Sequence, residues 1–257
     1  MQSIIFPLIL STLAGLSTLI GAIFIFFKIK GQNLNKFISF CLAFSISVMI
    51  TISILDLIPT SFFQISNIYG VGKSILILII AFIVSYIVIT YLSAKIEKET
   101  YSADLYKLGI LNMIVLILHN LPEGIATFLS SYHSTSLGIK LSIAIMLHNI
   151  PEGISIAVPI YYSTRSRKKA IKATLLSAVS EPIGALLAFV FLKKYVSDVM
   201  ISIVLVVVAG LMITLSIQEM LPKALKYKEN KYIYLGLVIG TILVIINVLI
   251  SWVGKIN

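Results

Sequence analysis

The sequence predicts an all-α integral membrane protein with eight transmembrane helices, in a single domain covering residues 1–257. Two observations carry this. Hydrophobic residues make up 59% of the chain and charged residues 12%, with a mean hydropathy of +1.06, whereas soluble domains run at about 45–50% apolar and about 25% charged. The apolar residues also fall into eight long runs separated by short charged connections. Eight spans of about 20 residues use roughly 160 residues, which leaves almost no room for a soluble domain. A water-soluble enzyme, a disordered chain and a secreted disulfide scaffold are excluded. Cys41 is the single cysteine, so no intrachain disulfide can form.

The first run, Ser3 to Phe27, has no basic n-region and is too long for a secretory h-region, which predicts a retained helix. The second, 37–63, follows the basic stretch Lys28 to Lys36 and contains Met49 and Asp56. The third, 73–94, leads into the charged stretch Lys95 to Leu105. The fourth and fifth, 106–131 and 137–161, each contain a histidine and a glutamate. The sixth, 169–192, follows Arg165, Arg167, Lys168 and Lys169 and contains Glu181; the seventh, 198–222, contains Gln218 and Glu219; the eighth, 231–253, has no acidic residue.

The net charge of +10 comes from loop residues of this kind. Basic patches interleaved with aromatic residues are absent, so nucleic acid is not an expected partner. The connections after spans one, three, five and seven carry 15 Lys and Arg, and the remaining connections with the C-terminal tail carry 5. Basic residues are retained on the cytoplasmic side, which places both termini outside the cytoplasm of a cell-membrane protein.

Apart from Asp198, which opens the seventh span, five of the ten acidic residues fall inside predicted spans: Asp56, Glu123, Glu152, Glu181 and Glu219. A carboxylate near the bilayer centre is costly and normally faces a polar cavity or marks a pathway. Glu123 and Glu152 lie in near-identical strings, His119-Asn120-Leu121-Pro122-Glu123-Gly124 and His148-Asn149-Ile150-Pro151-Glu152-Gly153. The i, i+4 spacing puts each His and Glu on one helical face. Pro122 and Pro151 free the carbonyls of Leu118 and Leu147, and Gly124 and Gly153 allow close helix approach. Two imidazoles and two carboxylates at one depth supply the mixed N/O ligands that suit zinc and other divalent first-row metals; Asn120 and Asn149 add amide oxygens. For a single pair, a satisfied interhelical hydrogen bond is the alternative. Two copies plus Glu181 argue against it. Glu181, followed by Pro182, fits a third wall of the same site or a structural hydrogen bond.

A second echo joins Ile54-Leu55-Asp56-Leu57-Ile58-Pro59-Thr60 to Ile217-Gln218-Glu219-Met220-Leu221-Pro222-Lys223. Spans two and seven run in opposite directions, as an inverted repeat of spans 1–3 and 6–8 around the central pair 4–5 requires. At 1.5 Å per residue Asp56 lies about 9 Å to the outer side of its helix midpoint and Glu219 roughly 13 Å to the cytoplasmic side of its own. This assigns Asp56 to an outer vestibule and Glu219, with Gln218, to an inner exit. Capping, or pairing with nearby lysines, is the bland alternative. Gly70-Val71-Gly72-Lys73-Ser74 resembles the end of a phosphate loop, but the context is wrong; no His-Glu-x-x-His occurs. His133, in the fourth connection, is expected to be exposed.

On its paired His-Asn-x-Pro-Glu-Gly strings, the chain resembles the ZIP (Zrt/Irt-like) family of divalent-metal transporters, and most of all the bacterial ZupT/GufA-type branch. Ser177-x-x-x-Glu181-Pro182-x-Gly184 and Glu219-x-x-Pro222 extend the likeness. The resemblance implies a binuclear site: His119, Glu123 and Glu152, with His148 and Met49, at a primary position; Asn120, Asn149 and Glu181, with both motif glutamates bridging, at a second. Unlike many relatives, the connection from Lys95 to Leu105 has no histidine, which argues against metal sensing there.

The resulting expectation is an uptake carrier for zinc, and also iron, manganese or cadmium, in which the metal is substrate and no cofactor is needed. A metal-selective channel with the same ligands is the alternative. An intramembrane metalloenzyme lacks its protease signature. The expected partners are divalent ions and the lipid bilayer; a homodimer is left open.

Overall fold

A computed structural model describes residues 4–27, 29, 31–99, 104–192 and 198–256. Among these, eight helices are long and apolar enough to cross a membrane: α1 (Ile5–Phe26), α2 (Asn33–Tyr69), α3 (Val71–Ile96), α4 (Asp104–Tyr132), α5 (Gly138–Thr164), α6 (Arg167–Val190), α7 (Val199–Lys226) and α8 (Asn230–Leu249). The protein is an all-α membrane protein. Helices satisfy their own backbone groups, which is what hydrocarbon demands of a spanning segment.

α4 and α5 lie side by side, α1 packs along α5, and α6 packs along α4. α2 pairs with α8, and α3 with α7. In the most apolar stretch of α2 and of α5, 67% of residues are buried, against 17% for α3. α2 and α5 are therefore interior helices, and α3 turns most of its surface to lipid or to another chain. The ends of α1 and α5 and the starts of α2 and α6 meet at one end of the bundle, where Phe37 meets Phe24, Phe27 and Tyr162, and Arg167 lies over Phe26; Lys226 of α7 meets Asp104 of α4. We refer to it as the basic end.

Several helices outrun their apolar runs. α2 continues past Phe63 through Gln64, Ser66 and Asn67, and the exposed Gln64 accepts from the Ser202 hydroxyl of α7. It stops at Gly70, whose φ of 79° is a left-handed conformation that glycine alone adopts without strain. α7 likewise reaches Lys226. α6 is not one smooth helix: it breaks at Val179 between Arg167–Ala178 and Ser180–Leu187.

The proline effects are local. Pro122 and Pro151 lie inside continuous helices. By contrast, α2 and α7 each widen into a π-helical turn, Ser53–Leu57 and Ser216–Met220, shortly before Pro59 and Pro222. A proline ring clashes with the carbonyl four residues earlier, and a widened turn relieves that clash. The two turns share the pattern Ser-Ile-x-acid, with Asp56 in one and Glu219 in the other.

Glycines set the spacing around the central pair. A Cβ at Gly153 would strike the carbonyl of Thr18 in α1, and one at Gly124 the backbone of Glu181 in α6. A Cβ at Gly72 would meet nothing within 4 Å. Gly153→Ala should therefore cost about 1–3 kcal/mol through overpacking. Gly72→Ala should stay within about 0.5 kcal/mol of the parent. Thermal unfolding of the two variants in detergent checks the difference.

Candidate metal centre

α4 and α5 run antiparallel, each with its His-Asn-x-Pro-Glu-Gly string near mid-length. Helical spacing then brings His119 and Glu123 of α4 to the same depth as His148 and Glu152 of α5. All four are at most 5% exposed.

The two motifs interlock. Glu123 Oε1 lies 3.1 Å from His119 Nε2 and 3.0 Å from His148 Nε2, so one carboxylate oxygen bridges both imidazoles. His119 Nε2 is also 3.3 Å from Glu152 Oε1. One ligand atom each from His119, His148 and Glu152 can be chosen so that all lie within 4.8 Å of one another. Tetrahedral ligands at about 2.0–2.1 Å from zinc are roughly 3.3 Å apart, so the His–Glu distances already match the edges of such a site.

The surrounding amides are aimed the same way. Asn149 Nδ2 donates to the carbonyl of Ala14 at 2.9 Å and to Glu181 Oε2 at 3.0 Å. Asn120 Nδ2 donates to the carbonyl of Ser177 at 3.4 Å. With their amide nitrogens engaged on α1 and α6, both Asn side chains leave Oδ1 buried without a donor, as are Glu181 Oε1 and both oxygens of Glu152. A buried acceptor without a partner costs about 1–3 kcal/mol. A cluster of them is poor as a hydrogen-bond network and suited to a cation. The residues present therefore fit a divalent metal with N/O ligands.

The remaining predicted residues make other contacts. Met49 is wholly buried on α2, its sulfur 4.0 Å from the Ser216 hydroxyl of α7. Asp56 is exposed and accepts from the Thr60 hydroxyl at 3.2 Å. It lines a cavity of about 500 Å³ with Ser61, Lys140 and Asn247 that also reaches Glu123 and His148. Glu219 is buried and accepts from Ser93 of α3 and Lys223 of its own helix, with Lys107 of α4 at 3.9 Å. Gln218 is half-buried in the same turn. The side chain of His133 lies outside the described residues.

The sequence offered pairing with nearby lysines as the alternative for Glu219, and the structure shows that pairing with Lys223. The i, i+4 spacing of Glu219 and Lys223 was a usable signal; nothing local links either to Ser93 or Lys107. Asn247, whose amide donates to the Ala144 carbonyl at 3.1 Å beside the cavity, was also missed.

Comparison with known proteins identifies the family. The family model described as the ZIP zinc transporter matches residues 93–247, a stretch that contains both motifs and Glu181. The chain belongs to the ZIP family. The zinc transporter ZupT of Oceanobacillus iheyensis is 35% identical, with 97% of this chain and 99% of the relative covered. Those of Clostridium perfringens (33%, 97% of each chain) and Lysinibacillus sphaericus (35%, 90% and 92%) are similar. The match is of ZupT type and extends over nearly the whole chain. Membership makes the ZIP chain a transporter and not an enzyme, and makes metal its cargo.

If the interlocked pairs hold metal, His119→Ala and Glu152→Ala should each weaken zinc binding by at least about tenfold, since ligand loss removes a metal bond outright. Calorimetric titration of purified, monodisperse variants measures this.

Proposed function

We propose that this ZIP chain takes up zinc, together with other divalent cations such as iron, manganese or cadmium, and delivers it to the cytoplasm through the His/Glu/Asn cluster at mid-membrane. The observation that carries the reading is the bridging carboxylate of Glu123, held between His119 and His148 at full burial. Such a charge is tolerated in a membrane interior where it serves a path.

The ligands perform distinct tasks. Without metal, Glu123 Oε1 sits between the two imidazoles and is hydrogen-bonded to His148, while both oxygens of Glu152 stand without a donor. An arriving cation exchanges its water for His119, Glu123, His148 and Glu152. Asn120, Asn149 and Glu181 form a second position, with Glu123 and Glu152 bridging. Met49 belongs to the first position by family likeness, and its placement against Ser216 puts it on the side of α2 that faces α7.

Charge sets the direction. With 15 of the 20 basic residues in connections at the basic end, that end is cytoplasmic and both termini are outside. The cavity lined by Asp56 then opens outward and leads to Glu123 and His148, and Glu219 with Gln218 lies on the way out. An open cavity on one side and ion pairs on the other favour a carrier over a channel.

An inverted repeat of α1–α3 and α6–α8 accounts for several of these features together. The matching π turns in α2 and α7, and the glycine contacts of α5 on α1 and of α4 on α6, support it. In such a repeat, rearrangement of one part against the other exposes a fixed central site to alternate sides.

The test is zinc uptake by protein in liposomes with competing metals and an imposed pH gradient. Saturable uptake that is lost in Glu152→Ala supports the reading; uptake linear in concentration favours a channel. His and carboxylate ligands must be deprotonated to bind, and free imidazole has a pKa near 6.5. Zinc affinity should therefore fall at least about tenfold between pH 7 and pH 5.5; titrations at both values check the sign. Asp56→Asn should raise the half-saturating zinc concentration more than it lowers the maximal rate, as initial uptake rates will read.

A further inference from the structure

We infer that Lys107 and Lys223 form a cationic clasp on Glu219 that closes the basic end of the transport path, and that metal leaves by displacing it. This rests on the assignment of Glu219 to the exit.

The two π turns are alike in sequence and opposite in state. In α2, Asp56 is exposed and borders the cavity that reaches His148 and Glu123. In α7, the corresponding Glu219 is buried and engaged from three helices: Ser93 of α3, Lys107 of α4 and Lys223 of α7. A second ion pair, Lys226 Nζ to Asp104 Oδ2 at 2.7 Å, ties α7 to α4 one turn further out. α4 carries His119 and Glu123, so the clasp joins a helix of the metal centre to the widened turn of α7. π turns are frequent at functional sites.

A bare carboxylate beyond a high-affinity centre would be a second place for a divalent ion to stop. Two tethered ammonium groups on one carboxylate occupy the place a cation would take, which disfavours entry of cations from the basic end. A metal ion delivered from the centre carries twice the charge of either lysine and can replace it on Glu219. Because the lysines are attached to the protein, they return at once and expel the ion. The clasp thus makes Glu219 a relay, and its closure in this conformation matches the outward-open cavity at Asp56.

The experiment uses Ser216→Cys in a Cys41→Ala background, reconstituted in oriented liposomes. Ser216 is fully buried in the same π turn as Glu219. An impermeant thiol reagent is applied from the basic-end side. Without zinc, labelling should be slow in the parent and about tenfold faster in Lys107→Gln/Lys223→Gln and in Glu219→Gln, as expected when a partly buried ion pair is broken. Lys223→Arg keeps the charge and should stay slow, which separates clasp loss from misfolding. Labelling that appears during zinc turnover in the parent, yet is equally slow without zinc in every variant, overturns the clasp and leaves the exit assignment standing. No labelling from that side in any variant or condition overturns the exit assignment and the clasp with it.

Discussion

Glu123 holds one oxygen within 3.1 Å of two imidazoles that come from different helices. In water this contact would be worth little. In a bundle core, where an isolated charge is prohibitive, it decides how α4 and α5 stand against each other. The strings must meet at one depth, the helices must run antiparallel, and both must stay continuous through Pro122 and Pro151. The rest of the protein is arranged around that pairing.

Close approach by neighbouring helices follows from it. Asn149 can reach the Ala14 carbonyl and Glu181 only because Gly153 lets α5 lie against α1, and Gly124 lets α4 lie against α6. Lipid tails are as apolar as leucine, so small residues and polar contacts, not hydrophobic burial, hold membrane helices together. The chain places both devices within the same six-residue strings. The candidate ligands and helix packing are thus coupled: a side chain at either glycine would move the oxygens that face the cluster.

The ends of the bundle differ in their electrostatics. Asp56 and Glu219 sit in similar π turns before similar prolines. One borders an open cavity and the other is enclosed by lysines. Two segments alike in sequence thus sit in unlike electrostatic environments.

Much of this was legible in the sequence. Eight apolar runs determined eight spans, because a span needs about 20 apolar residues whatever its neighbours are. The paired strings named His119, Glu123, His148 and Glu152, because polar ligands at i, i+4 in hydrocarbon have few other uses. Helix ends were less legible: α2 outlasts its apolar run, and there Gln64 accepts from Ser202 on α7, a partner 138 residues away. Tertiary structure alone decided that Glu123 bridges both histidines, that Met49 faces Ser216, and that Glu219 is enclosed where Asp56 is open. Those outcomes depend on distances between helices remote in sequence. Spacing along one chain specifies which residues share a face, whereas only packing specifies what that face meets.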